Sequence, residues 1–143
     1  MTDSDTRQAI LIVNAAFYMA LAEADLTAME DLWQHSPEVE CIHPGWDRLR
    51  GWPAIRESWA VIFQNQGPFP VKPSEAVVYQ RGDLAWVSCY ENITSQAESL
   101  EINQTVATNM FERVGGRWQM VAHHASPAPP SITRSRSWTG SIN

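Results

Sequence analysis

Residues 107–127 read ATNMFERVGGRWQMVAHHASP. Two runs of alternating apolar and polar residues flank Val114-Gly115-Gly116. That pattern is the signature of a β-hairpin. The strands expected from it are Gln104–Val114 and Trp118–Ala125. Upstream, Arg81-Gly82-Asp83 separates two further runs, Val71–Gln80 and Ala85–Thr94, in the same way. The polar stretch Gln96–Asn103 is read as the tip that joins the two hairpins. The second half of the chain is therefore expected to be an antiparallel meander of four strands.

The first half has a different period. Ile10, Val13, Phe17, Ala20, Leu21 and Ala24 recur at helical spacing, which predicts a helix over Ser4–Ala24 with Ser4 as its cap. Thr27 and Glu30 form a Thr-x-x-Glu capping box for a short second helix, which ends at Ser36-Pro37. Val39–His43 reads as a short strand stopped by Pro44-Gly45, and Pro44–Arg50 as a loop carrying Trp46. A third helix starts at Gly51-Trp52-Pro53, where proline suits the first turn; Ile55, Trp59, Ile62 and Phe63 make its apolar stripe. Helices segregated from an antiparallel sheet define an α+β domain. Residues 1–127 are read as that single domain, and 128–143 as a Pro/Ser-rich tail.

Bulk properties exclude several function classes. The chain has 143 residues, a formal charge of −6 and one lysine, Lys72, so the basic stripe that nucleic acid binding requires is absent. No apolar run approaches the roughly 20 residues of a membrane span, and the acidic opening Met1-Thr-Asp-Ser-Asp is unlike a signal peptide. Cys41 and Cys89, each in a strand-like apolar setting, are read as buried free thiols in a reducing cytoplasm. Seven tryptophans are many for this length and point to a large core, an interface or an apolar cavity.

Strand alternation then sorts the polar residues. Val87, Cys89, Ile93, Ala107, Phe111, Val121 and Ala125 fall on one apolar surface, interrupted by Glu91, Asn109 and His123. The opposite surface holds Trp86, Tyr90, Trp118, Met120 and His124, a mixture of aromatic and polar groups that suits a dimer interface. His123 and His124 are adjacent on a strand and so point apart, which argues against both ligating one metal; a bulge would exchange their assignments. A carboxylate between Cys89 and Ile93 is costly to bury. Glu91 is therefore expected to be paired, protonated, or facing a wet cavity, with His123 beside it. The same residues also fit a purely structural Glu91–His123 pair. His43 stands near the cavity mouth or caps the loop locally. Trp46 is a lid or packs down, and Trp59 and Phe63 belong to the core or to a ligand wall.

Four stretches carry a resemblance: IHPGW (42–46), GWPAIRESW (51–59), GDLAWVSCYENI (82–93) and the hairpin 107–127. Together they resemble the SnoaL-like group of the nuclear-transport-factor-2-like, or ketosteroid-isomerase-like, superfamily over residues 6–127. The last motif is also similar to the association domain of a calmodulin-dependent protein kinase. The resemblance implies a cone-shaped α+β fold, in which a strongly bent antiparallel sheet wraps three helices and encloses a pocket. It also implies homodimerisation through the outer sheet surface. In the kinase relative the pocket carries arginines at positions aligned with Glu91, Asn109 and Ala125; none is arginine here, so a shared anionic ligand is not implied.

Two functions are open at this point. In one, Glu91 is the acid–base group and His123 its proton partner, while Asn109 hydrogen-bonds the carbonyl of a small hydrophobic substrate. His43, Trp46, Trp59 and Phe63 line the site, and the reaction is an isomerisation, cyclisation or dehydration without metal or organic cofactor. In the other, the domain binds a ligand or oligomerises without chemistry. A filled interior would favour the second.

Overall fold

The computed structural model describes residues 2–68, 70–94 and 102–129. The greater part of the Gln96–Asn103 tip and of the tail lies outside them. The order of elements is α1 (Asp3–Glu23), α2 (Leu26–Leu32), β1 (Glu40–Ile42), β2 (Leu49–Arg50), α3 (Trp52–Gln66), β3 (Val71–Arg81), β4 (Leu84–Thr94), β5 (Ile102–Val114) and β6 (Arg117–Pro127). Among the described residues, three helices and one six-stranded sheet make the expected α+β architecture. Among the described residues, no helix is long and apolar enough to cross a membrane.

Both early caps differ from expectation. Thr2, not Ser4, caps α1: its hydroxyl accepts from the Asp5 N–H, and the Asp5 carboxylate accepts from the Thr2 N–H. This is a capping box with aspartate in place of glutamate. The α1–α2 junction is a single left-handed residue, Ala24 at φ 53°. Asp25 then caps α2 by accepting from the Ala28 N–H at 3.1 Å, so the Thr27/Glu30 box does not form. An aspartate directly before the apolar run captures the free N–H groups first.

The sheet order is β2-β1-β6-β5-β4-β3, open at both edges. The antiparallel meander β3–β6 is as expected. The addition is at the far edge, where β1 pairs parallel with β6, setting Cys41 opposite His123. Two residues of the expected loop, Leu49 and Arg50, pair antiparallel with β1. A two-residue strand leaves no period to read, which is why the sequence presents it as loop.

One bulge resolves the facing of β6. Met110 pairs with Ala122 but Phe111 pairs with Met120, leaving Val121 as the extra residue. Before it, Trp118 and Met120 point into the core; after it, His123 and Ala125 do. The expected outward placement of Trp118 and Met120 is therefore corrected, as is the inward placement of Val121, which is only half-buried. The bulge lies upstream of the histidines, so His123 stays inside and His124 outside. A second bulge in edge strand β3, between Ser74 and Val77, contains Glu75 at φ 54°.

Candidate functional site

Beneath the helices, strands β4, β5 and β6 turn polar groups into an otherwise apolar core. Glu91 (4% exposed), Asn109 (0%) and His123 (3%) are all enclosed. Helix α1 meets them with Asn14 and Tyr18, four residues apart and on the same face as Ile10, Phe17 and Leu21. These two residues were missed by sequence reading, which counted only the apolar members of that stripe. A polar pair at i, i+4 inside a buried helical stripe is the signal that finds them.

The groups form one hydrogen-bonded chain. His123 Nδ1 meets Asn109 Oδ1 at 2.6 Å. The Asn109 amide donates to Asn14 Oδ1 at 2.9 Å and to the Tyr18 hydroxyl at 3.0 Å. Tyr18 donates to Glu91 Oε2 at 2.7 Å, and Thr105 donates to Glu91 Oε1. The Cys89 thiol lies 3.3 Å from the Tyr18 oxygen. Donor counting assigns the proton of His123 to Nδ1, because Asn109 Oδ1 can only accept. Nε2 is then a lone-pair acceptor. Glu91 and His123 are thus not a direct pair, one of the alternatives the sequence left open; Tyr18 and Asn109 stand between.

Burial dominates the electrostatics. It raises the Glu91 carboxyl above its usual range, while the Thr105 and Tyr18 hydrogen bonds partly offset the rise. It lowers His123 to about 3, with the neighbouring His124 adding to the effect. It lowers His43 to about 3 as well, helped by His123. Burial and the Glu91 charge push the Tyr18 phenol up. The thiols of Cys41 and Cys89 are free, buried and pushed up, chiefly by desolvation. Both imidazoles are accordingly neutral at physiological pH.

The expected lining residues come together in an aromatic cluster. His43 stands edge-on between Trp46 (centroids 4.8 Å apart) and Trp59 (4.5 Å), and Trp59 packs on Phe63 at 5.7 Å. His123 lies 6.0 Å from Trp59 and 6.4 Å from His43. His43 Nε2 donates to Ser58 Oγ at 2.8 Å, and that hydroxyl donates on to the Ile55 carbonyl. Trp46 is 44% exposed at the edge of the cluster, and its backbone N–H donates to the His43 carbonyl. The Trp59 indole N–H is buried with no partner among the described residues.

Of the residues expected at an interface, Trp86 and Tyr90 are half-buried on the outer sheet face and His124 is exposed there. Trp118 is 5% exposed on the opposite face, with the Arg113 guanidinium 4.9 Å from its ring centre. A surface cleft of about 440 Å³ opens at the β3–β4 and β5–β6 turns, between Asp83, Arg113, Gly115 and Trp118. None of the expected pocket residues lines it, so it is separate from the buried chain. Among the described residues, no group of three His, Cys, Asp or Glu side chains is placed to hold a metal.

The architecture has counterparts among solved structures. A proposed dehydratase of the NTF2-like family from Streptomyces avermitilis superposes with a TM-score of 0.82 and 32% identity, over 90% of this chain and 100% of that one. A proposed calcium/calmodulin-dependent protein kinase type II association domain from Thiobacillus denitrificans gives 0.76 and 31%, over 82% and 93% of the two chains. F-box protein SKIP8 of Arabidopsis thaliana is 32% identical over 123 residues; they make up 85% of this chain, which spans 50% of that relative. The model of the SnoaL-like domain matches residues 10–130, a stretch that takes in α1 from Ile10 onward, the sheet and every residue of the buried chain, and on that match the protein belongs to the SnoaL-like domain family.

Proposed function

We propose that the protein binds a small, uncharged, hydrophobic carbonyl compound beside the buried chain, and that Glu91 performs acid–base chemistry on it. The reaction class is a cofactor-free isomerisation, cyclisation or dehydration. One observation carries this reading: Glu91 is a water-excluded carboxyl linked through Tyr18 and Asn109 to an inward imidazole. A carboxyl whose ionisation is pushed toward neutral pH is suited to both taking and returning a proton. The likeness to a proposed dehydratase supports the same class. The Asn109 role changes from the sequence expectation. Both its amide hydrogens and its oxygen are engaged by Asn14, Tyr18 and His123, so it holds the imidazole rather than the substrate. The test is a thermal-shift screen of neutral hydrophobic carbonyl compounds, followed by turnover assays of the hits. Glu91→Gln should abolish turnover with the fold intact; full retention of turnover rejects Glu91 as the acid–base group.

A second reading is favoured by that saturated amide and by the outer face. Here the domain associates without chemistry; association is the role that the name of the Thiobacillus relative gives to that protein. Trp86, stacked on Tyr79 with centroids 5.3 Å apart, lies with Tyr90, Met110 and His124 on the outer face of β3–β6. This face is proposed as the homodimer surface, and sedimentation at falling protein concentration tests it.

A further inference from the structure

The cleft of about 440 Å³ at the two hairpin turns differs in chemistry from the interior. Its walls are Ala9 of α1, Asp83 of the β3–β4 turn, Arg113 and Trp118 at the ends of β5 and β6, and the bare backbone of Gly115 and Gly116. Arg113 and Trp118 are register partners, so they share a face of the sheet, and Trp118 faces inward. Arg113 therefore stands on the helix side, away from the outer face proposed for the homodimer. Its guanidinium is held from three directions. Nε donates to Asp83 Oδ1 at 2.9 Å, the Arg113 backbone N–H donates to the Asp83 carbonyl at 2.7 Å, and the guanidinium carbon lies 4.9 Å from the Trp118 ring centre. Nε makes the only side-chain hydrogen bond of Arg113 among the described residues, so the N–H donors of both Nη groups remain available. The side chain is 29% exposed, which leaves it open to a ligand.

We propose that this cleft binds a small organic monocarboxylate with an apolar body. The two carboxylate oxygens accept from the Nη groups of Arg113, end-on, because Asp83 already occupies the Nε edge and Trp118 one face. A planar guanidinium fork matches a carboxylate in just this bidentate way. Holding the arginine in place beforehand removes much of the entropy cost of using it. The apolar body lies against Ala9, the Trp118 ring and the glycine backbone. The volume falls in the range of roughly 300–1,000 Å³ that suits a small molecule. Asp83 sets the charge that is accepted. Its carboxylate beside the guanidinium cancels most of the positive field, so a dianion such as phosphate is disfavoured against a monoanion. The site is separate from the Glu91–His123 chain and its proposed uncharged ligand, and it stands whether or not that proposal holds.

The test uses nitrogen-labelled protein at neutral pH and four probes. Phenylacetate carries the carboxylate and a ring, phenylacetamide is its uncharged counterpart, phenethylamine is a cation, and inorganic phosphate lacks the apolar body. Loss of one indole N–H resonance in Trp118→Phe identifies that of Trp118. Phenylacetate should move that resonance to saturation and bind roughly tenfold more tightly than phenylacetamide. Phosphate and phenethylamine should leave it in place. Arg113→Lys keeps the charge and loses the fork, and should weaken phenylacetate roughly fivefold. Equal binding of the acid and the amide, unchanged binding to Arg113→Lys, or a shift of the same resonance by phenethylamine overturns the proposal. So does the absence of any shift with phenylacetate at tens of millimolar. If Arg113→Lys does not fold, the comparison of probes on the unaltered protein decides.

Discussion

The Tyr18 hydroxyl donates to Glu91 Oε2 at 2.7 Å, joining helix α1 to strand β4 across 73 residues of chain. The same oxygen accepts from Asn109 on β5 and lies 3.3 Å from the Cys89 thiol. One phenol therefore satisfies three buried groups and fixes the rotation of α1 over the sheet. Buried polar networks of this kind are stabilising only when every member is satisfied, so removing the hub costs more than one hydrogen bond.

Tyr18→Phe keeps the ring packing and removes the hydroxyl. Asn109 then loses an acceptor and Glu91 a donor, each inside the core. The expected loss is about 1–3 kcal/mol of folding stability. It should be larger at pH 8 than at pH 5, because an ionised Glu91 suffers more from the missing donor than a protonated one. Urea denaturation at the two pH values measures it. An equal loss at both would mean that Glu91 does not change its ionisation between them.

The buried histidines set an acid limit. His43 and His123 titrate near 3 in the folded chain against 6.5 when unfolded. Between those values the unfolded state binds more protons, so stability rises with pH and is lost as pH falls from 6.5 toward 3. Each histidine contributes a slope of at most about 1.4 kcal/mol per pH unit. Glu91 acts in the opposite sense. Its raised value makes the folded state the better proton binder above 4.5, so its contribution is present at low pH and fades as pH rises through the folded value. Two imidazoles against one carboxyl leave a net loss on acidification from pH 6.5 to 4.5. A flat urea midpoint across that interval would show that the rings are not held neutral.

Much of this fold was legible because strand alternation survives in a sheet with one apolar face. Glu91, Asn109 and His123 were placed inside by that rule, and all three are. The same rule failed at Trp118 and Met120 because an extra residue inserted into β6 reverses the alternation, and a bulge has no side-chain period of its own. Tyr18 and Asn14 were not read as site residues because a helical stripe is recognised by its apolar members. The parallel β1–β6 pairing is set by tertiary contact between strands eighty residues apart, which no local pattern encodes. The structural Glu91–His123 pair, one alternative read from the sequence, does not form for a geometric reason. Strand β5, carrying Asn109 and Thr105, lies between β4 and β6, so its side chains take up the intervening space.

The bulge makes two tryptophans separable by experiment. Trp118→Ala empties a core position and should cost about 3–5 kcal/mol of stability. Trp86→Ala, on the half-buried outer face, should leave the urea midpoint of the isolated chain nearly unchanged, and should weaken the homodimer proposed through that face. Comparing denaturation and sedimentation for both variants separates the roles. A Trp118→Ala variant of unaltered stability would place that side chain outside the core.

Deleting Val121 tests the bulge itself. Without the extra residue Met120 and Ala122 become neighbours opposite Phe111 and Met110, and a single alternation keeps Trp118, Met120, His123 and Ala125 on the inner face. The deletion removes a half-buried side chain and the local twist that the bulge adds to β6, with no change in facing. It should therefore cost little more stability than Val121→Ala, and His123 should stay on Asn109. Urea denaturation of the two variants measures this. A loss of several kcal/mol specific to the deletion would mean that the bend introduced by the bulge, and not the facing of the strand, is what packs β6 beneath the helices.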